Sequence, residues 1–150
     1  MGLEKRPWSE MTEKGGGGMS ATNISPGWQK LFWAAAAYNF LIGLPSILAP
    51  SLAMSNLGLP VPHPLYAFNI QIMGILICTF GLGYLMVAQS QPGAKQILTL
   101  GIVGKLGILL LLGFWMLSTP MPLPIIATSF GDLFFATMFA FFLFGGSRDS

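Results

Sequence analysis

Charged side chains are scarce in this chain of 150 residues, of which aspartate, glutamate, lysine and arginine make up only 8%. An ordinary soluble domain carries about 25% charged residues, and these cover its water-facing surface. Seven basic and five acidic residues cannot do so for a chain that is 53% hydrophobic. Lipid, rather than water, is therefore the predicted solvent for most of this surface.

Cysteine and histidine are also nearly absent, with Cys78 and His63 as the single examples. One cysteine excludes an intrachain disulfide and a dithiol redox centre, and the two residues together cannot build a four-ligand zinc site. The sequence has no phosphate-binding glycine loop with lysine, no serine–histidine–aspartate set and no zinc-protease motif. We therefore predict no catalytic, cofactor-binding or metal-binding residues, and a protein that is not an enzyme.

Four long apolar runs predict four transmembrane helices. They cover residues 31–48, 65–88, 95–117 and 122–144. Each predicted span, with its flanks, has roughly 20–24 residues, enough to cross a hydrocarbon core of ~30 Å at 1.5 Å per residue. Pro45 lies inside the first run, so we expect that helix to kink or stop near Leu44.

The segments between the runs complete the predicted architecture. Ser25 is expected to accept a hydrogen bond at the start of the first helix, with Pro26 in its first turn. Residues 50–58 are too short to span and predict an interfacial helix that Gly58 ends. The predicted fold class is all-α: an antiparallel four-helix transmembrane bundle with a short interfacial helix after the first span.

We divide the chain into three parts and orient it by its basic residues. Residues 1–25 are polar and glycine-rich and predict a disordered tail, residues 26–146 form the membrane domain, and residues 147–150 form a polar tail. Apart from Lys105 inside the third run, lysine and arginine occur in the two tails, at Lys30 and at Lys95 by the turn between the second and third runs. The two proline-rich loops, residues 50–64 and 118–124, contain neither. The positive-inside rule then predicts cytoplasmic termini.

Two charges lie inside the apolar runs, and we predict that they pair. Lys105 is ten residues after Lys95, and Asp132 is thirteen residues before Gly145. These positions correspond to depths of roughly 15 Å and 20 Å from the cytoplasmic side, both near mid-membrane. A lone charge at that depth costs at least about 2.5–3.5 kcal/mol, and a partner of opposite charge offsets most of it.

The other predicted helices offer polar groups at a matching depth. Asn39 in the first helix and Thr79, next to Cys78, in the second complete a candidate polar site with Lys105 and Asp132. Two interpretations of the charged pair stay open. It can fix helix register and partner choice, as buried polar groups sometimes do, or it can serve as a proton or ligand site.

Small residues around the candidate site also allow two interpretations. Gly101, Gly104 and Gly107 in the third helix, like Gly74, Cys78 and Gly81 in the second, can admit a neighbouring backbone. In the third helix they can instead leave room beside Lys105 for a water molecule or a ligand.

Two further groups of residues each leave an alternative open. We expect Asn69 and Gln71 to lie in the wet interface between the membrane and water. Alternatively, they line an outward-facing vestibule together with His63. The fourth helix carries seven phenylalanines, and some of them must face lipid or a partner.

Short motifs in the first two helices resemble the DoxX-like group of small four-helix bacterial membrane proteins. The motifs are Ile42-Gly43-Leu44, Leu48-Ala49-Pro50, Leu57-Gly58-Leu59 and Gly81-Leu82-Gly83-Tyr84, and the resemblance covers about residues 30–145. It implies a four-helix bundle in the bacterial inner membrane, and some members act with redox partners. No functional residue is carried over, since the group offers no shared catalytic motif to place here, and the single cysteine departs from any dithiol role.

Two functions therefore compete. The first is a non-enzymatic accessory or scaffold subunit of a bacterial inner-membrane complex. The alternative is a small proton-linked carrier or channel built around Asp132 and Lys105. The expected partners are the lipid bilayer and either further copies of the chain or a larger membrane complex. Nucleic acid is not expected, because the net charge is only +2 and the basic residues are not clustered.

Overall fold

The computed structural model describes residues 24–59 and 64–145, and these residues form helices and short connections without any strand. The helices are α1 (Pro26–Leu48), α2 (Pro50–Asn56), α3 (Pro64–Ala88), α4 (Ala94–Met116) and α5 (Leu123–Gly145). Four of them, all but α2, are long and apolar enough to cross a membrane. The predicted fold class is confirmed. The tail up to residue 23, the loop containing His63 and the tail 147–150 lie outside the described residues.

At its start α1 differs from the prediction, and it does not stop near Leu44, which was one of the two outcomes predicted for Pro45. The Ser25 side chain makes no capping hydrogen bond; instead, its backbone carbonyl accepts a 3.0 Å hydrogen bond from the amide of Gln29. The helix also continues through Pro45 and ends at Leu48. It breaks at Ala49, with φ −142° and ψ 64°, because this residue precedes Pro50 and a following proline disfavours the helical conformation.

The closest packing in the bundle joins α1 to α3. A Cβ atom added to Gly43 would lie 2.9 Å from the carbonyl oxygen of Gly74, and one added to Gly74 would lie 2.8 Å from that of Gly43. The two backbones therefore touch where neither residue has a side chain. A Cβ atom added to Gly81 would lie 3.2 Å from the Cβ of Asn39, so this glycine also lies close against α1. The interpretation of the small residues of α3 as a helix-packing stripe is confirmed.

Aromatic rings fill the space between this pair of helices and α5. The ring centroids of Phe32 and Phe139 are 5.8 Å apart, and those of Tyr84 and Phe139 are 4.8 Å apart. Among the phenylalanines of α5, four are largely exposed on the outside: Phe130, Phe134, Phe141 and Phe144. The expectation that some of these rings face outward is confirmed. This aromatic cluster lies next to the candidate site, because the ring of Tyr84 contacts both Phe139 and Lys105.

Candidate functional site

Lys105 and Asp132 form an ion pair between α4 and α5. The Lys105 ammonium donates a hydrogen bond to Oδ1 of Asp132. The two helices pack side by side because only a short connection joins them. The Lys105 side chain is 6% exposed and the Asp132 side chain is 18% exposed, so the carboxylate is the more accessible partner. The structure brings together the two charges that the sequence places at similar depths, while their depth in a bilayer stays a prediction.

Three aromatic rings surround the ammonium group. The Lys105 Nζ lies 5.5 Å from the ring centroid of Tyr38, 5.9 Å from that of Tyr84 and 5.8 Å from that of Phe135. The electron-rich face of an aromatic ring attracts a cation within about 6 Å, and more strongly where water is excluded. The rings therefore share with Asp132 the task of replacing the water that Lys105 loses on burial.

Glycines make room for the two tyrosine hydroxyls of this cage. A Cβ atom at Gly131 would lie 2.5 Å from the hydroxyl oxygen of Tyr38, and one at Gly101 would lie 2.5 Å from that of Tyr84. The Tyr38 hydroxyl donates a 2.5 Å hydrogen bond to the backbone carbonyl of Thr128. Sequence reasoning missed both tyrosines as site residues. The available signal was a glycine immediately before Asp132 and another one turn before Lys105.

A cavity of about 360 Å³ lies beside the ion pair. Its lining is mostly apolar and comes from α1, α3, α4, α5 and the segment after α2. It extends from Leu57 and Leu59 at one end of the bundle to Tyr84 at the aromatic cluster, and both Lys105 and Asp132 are part of it. An apolar cavity with a few convergent polar groups is the usual form of a small-molecule site.

The lining of the cavity includes side chains on the outside of α3 and α4, two helices that pack much less closely than α1 and α3 do. Met73 on α3 and Ile108 on α4 both line the cavity, and they are 53% and 50% exposed on the outside of the bundle. Because the rim consists of apolar side chains, it suits contact with lipid tails rather than with water. The cavity that borders the ion pair is therefore lined in part by exposed apolar residues of the bundle surface.

The glycines of α4, the third predicted transmembrane helix, do not share one role. Gly101 and Gly104 both line the cavity. A Cβ at Gly101 would lie 2.5 Å from the hydroxyl oxygen of Tyr84, whereas a Cβ at Gly104 would come no closer than 3.6 Å to Phe80. Gly107 meets nothing within 4 Å and is exposed. Gly101 thus admits a side chain instead of the predicted backbone of a neighbouring helix, and Gly104 leaves open space beside Lys105.

Asn39 and Thr79, the other predicted site residues, have different positions. Asn39 lines the cavity, and its Nδ2 donates a 3.1 Å hydrogen bond to the carbonyl of Ala35. Thr79 is exposed on the outside, where its hydroxyl donates to the carbonyl of Ile75 at 2.9 Å. The prediction that Thr79 joins the polar site is wrong. Its neighbour Cys78 contacts α1 at Gly43, and a rotation of about 100° per residue turns Thr79 away.

The residues that open α3 divide between packing and exposure. The side-chain amide of Gln71 donates a 2.9 Å hydrogen bond to the carbonyl of Ile47, where the last turn of α1 lacks intrahelical donors. Asn69 is exposed, and His63 is outside the described residues. Gln71 thus packs against the end of α1, and the wet interface expected for Asn69 and Gln71 stays a prediction.

Comparison with known proteins adds no relative to this description. No family model matches the chain, and no curated protein or solved structure matches it either. The four apolar helices identify a small multi-pass membrane protein, and the resemblance to the DoxX-like group stays a prediction.

Proposed function

We propose that this protein is a small membrane carrier that takes an apolar ligand from the lipid phase into the cavity beside Lys105 and Asp132. The observation that carries the proposal is the shared lining: the ion pair borders the cavity instead of being sealed between helices. A ligand in the cavity would touch the buried charges directly.

A purely structural role for the ion pair accounts less well for the empty volume. Protein interiors pack as densely as organic crystals, and cavities lower stability. A pair that only fixed helix register would be served by a closed interface, as between Gly43 and Gly74. Here the absence of a side chain at Gly104 and the loose contact of α3 with α4 keep space open next to the charges. This arrangement favours the carrier over the accessory or scaffold subunit.

The proposal extends to location and assembly. The distribution of lysine and arginine supports cytoplasmic termini, and the DoxX-like resemblance supports a bacterial inner membrane. Large apolar side chains cover the outside of α4, among them Leu100, Val103 and Leu110. Such a surface suits contact with lipid or with further copies of the chain, so we include a homo-oligomer in the proposal.

Filling the cavity is the direct test of the carrier proposal. Gly104→Leu is expected to place its side chain in the cavity, because the added Cβ meets Phe80 at an ordinary contact distance of 3.6 Å. Purified with native membrane lipid in nanodiscs and analysed by native mass spectrometry, the wild-type protein is expected to retain a bound small molecule. Gly104→Leu is expected to lose at least about nine-tenths of it, a factor of ten that corresponds to ~1.4 kcal/mol.

Gly107→Leu is the matched control for this experiment. It makes the same substitution one helical turn away, where the new side chain meets nothing within 4 Å, so retention should equal that of the wild type. Equal retention in wild-type protein and Gly104→Leu, or no bound molecule in either, would contradict the carrier.

A further inference from the structure

Resting on the proposed function, we infer that the ligand is a neutral lipophilic alcohol or phenol: an apolar body that fills the cavity and one hydroxyl that meets Asp132 and Tyr84. The inference comes from the polar atoms that face the cavity and from the hydrogen bonds they still have to offer.

The Tyr84 hydroxyl is the first of these atoms. Tyr84 is 1% exposed and lines the cavity, and its hydroxyl makes no hydrogen bond to another described residue. Every fully buried polar side-chain atom in the described part of the chain has a partner. This hydroxyl must therefore reach an accessible surface, and the cavity supplies it. Its neighbour in the cage, Tyr38, differs because its hydroxyl is committed to the Thr128 carbonyl.

The second oxygen of Asp132 is in the same situation. Oδ1 accepts the hydrogen bond from Lys105, whereas Oδ2 has no hydrogen-bond partner among the residues described. Asp132 lines the cavity, so by the same reasoning Oδ2 faces it. The Tyr84 ring lies 5.9 Å from the Lys105 ammonium, which itself contacts Asp132. The free hydroxyl and the free carboxylate oxygen thus belong to the same end of the cavity.

These two atoms, on residues next to Lys105, specify the head group that binds there. Asn39 also lines the cavity, where its Oδ1 accepts no hydrogen bond from a described residue. A carboxylate oxygen only accepts hydrogen bonds, whereas a phenolic hydroxyl can donate one. The complementary group must donate to Asp132 and accept from Tyr84, which a single hydroxyl does. The bond to the carboxylate is charge-assisted and therefore the stronger of the two.

The charge of the site argues for a neutral head group. Lys105 and Asp132 neutralise each other, and no other charged residue of ranges 24–59 and 64–145 lines the cavity. A ligand carboxylate would face Asp132 with like charge, and a ligand cation would leave the site with an uncompensated charge in an apolar surrounding. A hydrocarbon without a hydroxyl would fill the cavity but leave Tyr84 and Asp132 unpaired, which is also unfavourable.

The test uses a photoreactive dodecanol that carries a diazirine in its chain, added to the full-length protein in phosphatidylcholine nanodiscs. Mass spectrometry of the labelled peptides locates the probe. We expect labelling of cavity-lining segments, and displacement by dodecanol at about tenfold lower concentration than by dodecane, dodecanoate or dodecyltrimethylammonium, since the hydroxyl adds two hydrogen bonds.

Tyr84→Phe removes the hydroxyl and keeps the ring, so the cage around Lys105 should remain. We expect this variant to bind dodecanol about tenfold more weakly and dodecane unchanged. Tyr66→Phe, at an exposed position outside the cavity lining, is the matched control and should bind both as the wild type does.

Two outcomes separate a failed ligand class from a failed carrier. In the first outcome, the probe labels the cavity and Gly104→Leu abolishes labelling, but dodecanol has no advantage over the other competitors or Tyr84→Phe has no effect. This result would overturn the alcohol as the ligand class and leave the carrier proposal standing. If labelling is absent from the cavity or insensitive to Gly104→Leu while Gly104→Leu also leaves native retention unchanged, both proposals fail.

Discussion

Replacing Asp132 by asparagine is expected to lower the free energy of unfolding by about 3–5 kcal/mol, the usual cost of removing one partner of a buried ion pair. Lys105 is 5% exposed, and Asp132 is the only acidic residue in the described ranges. The stranded ammonium would keep its aromatic rings but lose its only anionic partner. The loss of stability is measured by thermal unfolding in a mild detergent, with size-exclusion chromatography as the assay for the protein that remains folded.

Removing both charges is the complementary experiment. Lys105→Met with Asp132→Asn leaves no buried charge, and replacing a buried pair with uncharged residues is often neutral or stabilising. We expect the double variant to recover stability to within about 1 kcal/mol of the wild type. Thr137→Val, on the exposed side of α5, serves as the control. If Asp132→Asn alone were as stable as the wild type, the ion pair would contribute nothing to folding.

The double variant also separates the carrier from the scaffold. As a scaffold, a protein that folds without the two charges should behave as the wild type does. As a carrier, it should fold and still lose its bound ligand, because Asp132 is expected to contact that ligand directly. The same native mass spectrometry that compares Gly104→Leu with Gly107→Leu provides this measurement.

Gly74→Leu is expected to have the second large effect, a loss of about 3 kcal/mol or more in the free energy of unfolding, at the upper end of the usual cost of overpacking. The added Cβ would lie 2.8 Å from the Gly43 carbonyl oxygen. A backbone oxygen cannot move aside as a side chain can, so α1 and α3 would have to separate.

Gly113→Leu is the control for this substitution, since a side chain there meets nothing within 4 Å. We expect Gly113→Leu to unfold at the wild-type temperature and Gly74→Leu to unfold well below it or to be recovered only as aggregate. Wild-type stability in Gly74→Leu would show that α1 and α3 do not pack through their backbones.

The sequence was sufficient to predict the helices. The predicted span 65–88 agrees with α3 (Pro64–Ala88), and the predicted span 95–117 agrees with α4 (Ala94–Met116) within a residue at either end. Apolar length and proline-rich loops determine these bounds, and both can be read locally. The pairing of Lys105 with Asp132 was also predictable, because rise per residue converts sequence position into depth.

The surroundings of the pair were not predictable, because they depend on how each helix is rotated and splayed. In an apolar helix, Tyr38 and Tyr84 resemble any other bulky residue, and only packing directs their rings to Lys105. Thr79 has a suitable depth, yet the contact of Cys78 with α1 turns it outward. The cavity depends on the loose contact between α3 and α4, for which no single residue gives a signal.

The central claim, that Asp132 lies in a lipid-accessible cavity inside the membrane, is tested most directly by carbodiimide modification of the full-length protein in nanodiscs. Lipophilic dicyclohexylcarbodiimide is expected to take a proton from the ion pair and activate Asp132 as an O-acylisourea; the Lys105 amine then displaces the urea and forms an amide between α4 and α5. This modification should be slower in Gly104→Leu and should proceed at the wild-type rate in Gly107→Leu. A water-soluble carbodiimide should leave Asp132 unmodified. Modification of Asp132 by the water-soluble reagent at an equal rate, or its resistance to the lipophilic one, would contradict the account.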